Sequence, residues 1–442
     1  MSVLVEGTLD ADGREMTRLK QLTLIEMDES TPARASSTFV NNMSLPVHRW
    51  FRYSAGFSAE WAESTISDHK CRGNPAVLDP FAGSATTLLA AEDVGVPSIG
   101  VESHPFVCRV ARAKLLRHHD PGEYRQFALA VLRGALDRKG CVDEYPCLIR
   151  RCFKDDSLAD LDRLRRSFEA LADGSPRCEL TWLTLVSILR STSHVGTAQW
   201  QYVLPNKSKQ NARRPFEAFE HAIEMFFQDL RKTTATPTPA QFIEGDARAC
   251  QDVPTGFASL VVTSPPYPNN YDYADATRLE MTFMGEIQGW GNLQGAVRRH
   301  LIRSCSQHTT RTEVDLEATL NANELRPIAN EIRDVCDVLG KVRLTKGGKK
   351  NYHLMVASYF LDLAKVWNAL RRVCATPCDV YFVVGDSAPY GVYVPVIDWL
   401  GKLAVAAGFE RWSFDKIRDR NIKWKNRKHR VPLCEGHLLV QG

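Results

Sequence analysis

The stretch AVLDPFAGSATTLLAAEDVG, residues 76–95, decides the fold. An apolar strand from Ala76 to Leu78 runs into the turn DPFAGSA, and a helix, TTLLAAEDVG, follows and is closed by Gly95. A second short strand, SIGVE, ends at Glu102, and another helix follows through HPFVCRVARAKLL. Strand, turn, helix, strand, helix is the repeating unit of a parallel α/β sheet. At the carboxyl edge of such a sheet ligands sit, and a small-residue turn lets backbone N–H groups approach one closely. Glu102 stands 102 − 79 = 23 residues after Asp79, where an acid is placed to take ribose hydroxyls. The turn is not GxGxxG, and no GxxxxGK[ST] phosphate loop occurs. A carboxylate at Asp79 suits a ligand with a cationic amine better than a phosphate. A tight turn with no ligand is the plain alternative.

Further along, the strand SLVV leads directly into Thr263-Ser264-Pro265-Pro266-Tyr267. Two prolines in series stiffen the backbone and remove donors, which leaves the Pro265 carbonyl to accept a hydrogen bond. The Ser264 hydroxyl is a second acceptor and Tyr267 a flat face. Two acceptors beside an aromatic plate suit the exocyclic amine of a base flipped out of its helix.

DPFAGSATT, GVE, EGDA and TSPPY, in this order, resemble the amino-methylating, S-adenosylmethionine-dependent DNA methyltransferases. SPPY is the form typical of that family's cytosine-N4 enzymes. The resemblance covers roughly residues 43–116 and 240–285, and more loosely 352–442. It implies a doubly wound, Rossmann-like α/β sheet with two mainly helical insertions. It implies that Asp79 holds the methionine amine, that Phe81, Ala82 and Gly83 pack against S-adenosylmethionine, that Glu102 takes the ribose and that Asp246 accepts from the adenine amine. Ser264 and Pro265 would orient the target amine, with Pro266 stiffening the loop and Tyr267 stacking on the base. The aromatic stretch from Trp50 to Trp61, Tyr53 included, looks like the family's additional cofactor-binding helix. Ala85 stands where the family usually has glycine.

Outward from these motifs the chain reads as a leader (1–40), a cofactor half (41–116), a helical insertion (117–240), a catalytic half (241–285), a second insertion (286–350) and a C-terminal part with a basic tail (351–442). The 442 residues, 44% hydrophobic and 24% charged, fit a globular protein and exclude a fibre or a largely disordered chain. No apolar run nears the roughly 20 residues that span a bilayer. The N-terminus lacks the basic start and apolar core of a signal peptide, so a cytoplasmic protein is expected. Twelve cysteines without a CxxC pair argue for reduced thiols, and no metal site is expected. Pro146-Cys147 and Pro377-Cys378 do not follow the fourth strand, where cysteine-dependent methylation of a ring carbon needs its nucleophile.

The net charge of +4 conceals a local excess: Arg411–Arg430 holds nine Lys or Arg against two Asp, 9 − 2 = +7. Such a surface suits a polyanion or a solvated face. Lys207, Lys209, Arg213 and Arg214, then Lys349 and Lys350, and last Arg420, Lys423, Lys425, Arg427, Lys428 and Arg430 are the candidates for holding phosphates of double-stranded DNA. The expectation is a site-specific DNA methyltransferase acting on cytosine N4, paired with a restriction endonuclease. The alternatives are an adenine-N6 enzyme, a non-catalytic DNA-binding subunit of the same fold, and an RNA or protein amine methyltransferase.

Overall fold

The computed structural model describes residues 7–9, 15–17, 39–53, 56–198, 202–233, 238–309, 314–348, 350–420 and 431–442. Two units separate, Met1–Ser36 and Ser37–Gly442. In the first, the strands Gly7–Leu9 and Glu15–Thr17 pair antiparallel.

The second unit is built on a seven-stranded sheet. Its strands are β1 (Val77–Asp79), β2 (Ser98–Glu102), β3 (Gln241–Glu244), β4 (Ala258–Thr263), β5 (Cys374–Gly385), β6 (Arg411–Arg420) and β7 (Leu433–Gln441). They lie in the order β6-β7-β5-β4-β1-β2-β3. β1 to β5 pair in parallel, and β7 inserts antiparallel between β5 and β6. This is the doubly wound sheet expected from the sequence. Strand order reverses between β1 and β4, the switch point at which an open α/β sheet leaves a crevice at its carboxyl edge. β1 and β4 are almost wholly buried, which is why they read as apolar runs without alternation.

Helices α1 (Ala59–Lys70), α2 (Thr86–Val94) and α3 (Pro105–Leu115) belong to the first half of the sheet. The Ser58 hydroxyl caps α1 by accepting from the Trp61 amide. Gly95 ends α2 in the left-handed conformation, φ 75°, as a glycine stop should. Ala85 opens α2 with φ 71°, a conformation that strains a residue bearing a Cβ.

The region 117–240 holds four long helices, α4 (Pro121–Leu136), α5 (Asp155–Leu171), α6 (Pro176–Thr192) and α7 (Pro215–Lys232). Between α6 and α7, where the sequence suggests a loop, Val195–Thr197 and Val203–Ser208 form a small antiparallel hairpin. These helices share one apolar core with α2 and α3. Trp50 stacks on Phe226 of α7 at 4.5 Å, and its indole N–H reaches the buried Asp229 carboxylate at 3.0 Å. Phe106 of α3 meets Trp182 of α6 edge-on at 5.4 Å. Trp50 and Phe51 thus dock this helical layer, whereas Phe57 and Trp61 pack against the sheet, and the helix of the stretch begins only at Ala59.

On the other side, α8 (Ala329–Thr345), α9 (Tyr352–Val373) and α10 (Val396–Ala406) cover β4 and β5. All twelve cysteines are free, and none lines the crevice at the carboxyl edge. Cys147 is exposed and Cys378 lies buried within β5, so neither offers a nucleophile after β4. Among the described residues no helix is long and apolar enough to cross a membrane.

Candidate active site

The carboxyl ends of β1, β2, β3 and β4 surround one cavity. Pro80, Phe81 and Gly83 come from the turn after β1, Glu102 and Ser103 from the end of β2, and Gly245, Asp246 and Ala247 from the turn after β3. Ser264 and Pro266 come from the loop after β4, with Tyr53 and Tyr273 beside them. His300, Leu301 and Ile302 complete the wall. The two motifs read from the sequence begin 184 residues apart, at Asp79 and Thr263, and meet in space.

Glu102 is held by the backbone. Its carboxylate accepts from the amides of Gly83 (3.0 Å), Ser103 (2.9 Å) and His104 (2.8 Å). Three of its roughly four lone-pair positions are filled, so it both props the β1 turn and faces the cavity. Burial raises its pKa, against the pull of those three amides. Gly83 carries φ 51°, and a Cβ there would stand 3.5 Å from the Tyr53 ring. The bare backbone at Gly83 thus keeps the space between turn and tyrosine open.

Asp79 sits differently from expectation. It is fully buried and does not line the cavity. Its carboxylate accepts from Thr263 Oγ1 (2.5 Å), Thr87 Oγ1 (2.6 Å) and the Phe81 amide (3.0 Å). It ties β1 to α2 and to β4, holding the turn from beneath. Burial pushes its carboxyl up to about 6, while the three donors pull it down. Ala82 is buried too, and Ala85 packs its methyl group into the core, away from the cavity.

Asp246 lines the cavity, but its carboxylate is gripped by Arg248 through Nε at 2.9 Å and Nη2 at 2.7 Å. Arg248 is in turn 3.4 Å from Asp362, a buried carboxylate of α9 that also holds Arg303. Through this chain the segment around residues 298–303 is anchored, with His300, Leu301 and Ile302 as a wall of the cavity.

After β4, Ser264 donates its hydroxyl proton to the Val383 carbonyl at 3.2 Å. A hydroxyl so committed offers only lone pairs elsewhere. Pro265 is buried, and the half-buried Tyr267 has the Arg420 guanidinium 5.1 Å from its ring centroid. The following loop is tied down: Asn270 Oδ1 accepts from the Ser306 amide and hydroxyl, and Asp272 holds Arg298 at 2.7 Å. Tyr273, the loop's last residue, reaches the cavity.

The basic candidates divide. Lys207, Arg213, Arg214 and Lys350 are exposed, Arg214 resting 3.6 Å from Glu217. Lys209 donates to the Arg190 carbonyl and is partly buried, and Arg420 is turned inward. Those two are engaged within the protein rather than free for phosphates. Lys349, Lys423, Lys425, Arg427, Lys428 and Arg430 lie outside the described residues. Thr87, Thr263, Arg248 and the His300 wall had not been expected. Thr87 and Thr263 stand inside the quoted motifs, and Arg248 two places after Asp246; nothing local marks the 300–302 segment.

Comparison with known proteins agrees with this geometry. The profile of a family described as DNA methylase, of the N6/N4 type, matches residues 28–113. The type II methyltransferase M.BsoBI of Geobacillus stearothermophilus is 24% identical over 91% of this chain and 86% of its own. The type II methyltransferase M.AvaI of a Nostoc species is 23% identical, covering 85% of this chain and 82% of the relative. M.MjaII of Methanocaldococcus jannaschii is 35% identical over a 72-residue segment, 16% of this chain and 13% of its own. No solved structure matches. With a matching profile across the β1 turn, relatives aligned over most of its length and the parallel sheet to carry the motifs, the chain is similar to the N6/N4 DNA methylases.

Proposed function

We propose that the protein transfers a methyl group from S-adenosylmethionine to the exocyclic N4 amine of a cytosine flipped out of duplex DNA. The observation that carries this reading is Ser264, whose hydroxyl is locked as an acceptor at the mouth of a cavity shaped by the β1 turn.

The residues fit the cofactor. The Gly83 backbone, the Glu102 carboxylate beside it and the Phe81 and Tyr53 rings offer a cradle for a nucleoside with an apolar face. Phe81, Gly83, Glu102, Asp246 and Tyr53 would hold S-adenosylmethionine, with Asp79 shaping the site from behind. When bound, it supplies an electrophilic methyl group on a sulfonium.

A base amine is a weak nucleophile because its lone pair is delocalised into the ring. Ser264 Oγ and the Pro265 carbonyl accept its two N–H groups and turn them out of the ring plane, which localises the pair. Tyr267 stacks on the base and fixes its height, so the amine is aimed rather than merely bound. No side-chain nucleophile is required, which agrees with the lack of a cysteine at the cavity.

Duplex DNA suits the charge distribution. β6 and β7 pair Arg420 with Leu433 at the edge where β5 ends, and in sequence the basic residues Lys423 to Arg430 fall between these two. Cations there hold phosphates without reading sequence. Relatives named type II methyltransferases support a role beside a restriction endonuclease. The test is incubation with tritiated S-adenosylmethionine and unmethylated DNA, then nucleoside chromatography. Label in N4-methylcytosine, abolished in Ser264→Ala, is expected. Label in N6-methyladenine overturns the choice of base. No label on DNA overturns the activity.

A further inference from the structure

We infer that Arg420 occupies the seat of the target base in the DNA-free protein and must leave before the base can stack. This rests on the reading of Tyr267 as the base-stacking residue. The guanidinium lies 5.1 Å from the Tyr267 ring centroid. A base inserted between them needs two van der Waals separations of about 3.5–4.0 Å, roughly 7–8 Å in all. Arginine and base therefore exclude each other on that face. A guanidinium is planar, carries polar edges and stacks on aromatic rings, so it is a fair stand-in for a base.

The seat is built for it. Arg420 Nη1 donates to the Asp386 carbonyl at 3.0 Å, and Nε lies 3.4 Å from the Glu435 carboxylate. Gly385 makes the room: a Cβ there would fall 2.9 Å from Nη1 and 3.1 Å from Cδ. The side chain is only 17% exposed. Leaving is not prohibitive, because Glu435 also holds Arg418 at 2.5 Å and keeps a cation when Arg420 departs. Arg420 is moreover the last residue of β6, directly ahead of the run with Lys423, Lys425, Arg427, Lys428 and Arg430. DNA drawn to that run and the base arriving at Tyr267 act on one strand end. Arg420 is in this sense a positioning residue, one that keeps the seat closed until DNA is engaged.

Two measurements test the proposal. In the free protein, a thermal-melting double-mutant cycle of Arg420→Met and Tyr267→Leu should give non-additive shifts. Additive shifts refute the contact itself, whatever the substrate. For the second, the recognition site is mapped from DNA methylated by the wild type, and the target cytosine in a duplex is replaced by a fluorescent cytosine analogue. At saturating DNA, Arg420→Met is expected to raise the extruded-base signal at least two-fold. A signal equal to or below that of the wild type overturns the proposal, because Arg420 would then hold the base rather than its place. If the wild type methylates no DNA, the functional reading fails first, and the melting cycle still decides the contact.

Discussion

Replacing Asp79 by asparagine tests whether this residue supports the β1 turn or touches the cofactor. Asp79 is fully buried, and its carboxyl is raised from 3.8 to about 6. The native state then binds a proton more tightly than the unfolded chain. Stability from this group is present at low pH and is lost as pH rises between about 4 and 6. At ~1.4 kcal/mol per pH unit, the ionised carboxylate costs roughly 3 kcal/mol at pH 7. An asparagine side chain at this position would keep one oxygen for the Phe81 amide or a threonine hydroxyl, and Thr87 retains the Val262 carbonyl as a second acceptor at 3.0 Å. The raised carboxyl is the net of burial and of those hydrogen bonds, and this pH dependence is absent from the variant. Urea unfolding of both proteins, followed by tryptophan fluorescence from pH 4 to 8, should show the difference moving toward the variant by about 3 kcal/mol as pH rises. A difference that is flat with pH, or moves the other way, refutes the argument. Calorimetric titration with S-adenosylmethionine should find Asp79→Asn within about three-fold of the wild type, since removing a group that touches the ligand directly weakens binding tenfold or more.

Ala85→Gly relieves the left-handed strain at φ 71°, roughly 1–2 kcal/mol, but removes a buried methyl group, about 0.8 kcal/mol, and loosens the unfolded chain by roughly 0.4–1 kcal/mol, so that the terms nearly cancel. The melting temperature should stay within a few degrees and cofactor affinity should hold, because the methyl group faces the core; a large gain in affinity would show that it crowds the site. Lys114 is buried against the carbonyls of His48 and Phe51, and burial lowers its pKa to about 7. The native state binds fewer protons than the unfolded chain between about 7 and 10.5, so stability rises with pH across that window. Lys114→Met should flatten the rise in thermal melts, and an undiminished slope would place the titration elsewhere. Finally, Lys423→Ala with Lys425→Ala should lower the slope of log affinity against log salt by about 2 for any duplex. An unchanged slope would remove that run from the phosphate contacts.

Local chemistry is legible in the chain without its fold. Apolar runs, the glycine stop at Gly95 and the small residues from Ala82 to Ser84 specify strand, turn and helix within about twenty residues, and that range is where propensity and periodicity operate. The motif order placed Glu102 and Ser264 at strand ends, and both line the cavity. The surroundings of Asp79 depend instead on long-range packing. Its partner Thr263 lies 184 residues away, and a carboxylate facing a ligand reads the same in sequence as one facing two threonines. The His300 to Ile302 wall and the docking of Trp50 on Phe226 are likewise products of packing between distant segments. Arg420 shows the same limit. In sequence it is one cation among nine in a basic run. It faces inward because the register of β6 on β7 and of β7 on β5 sets it beside Gly385, Glu435 and the ring of Tyr267. Register is fixed by long-range pairing, and composition carries no trace of it.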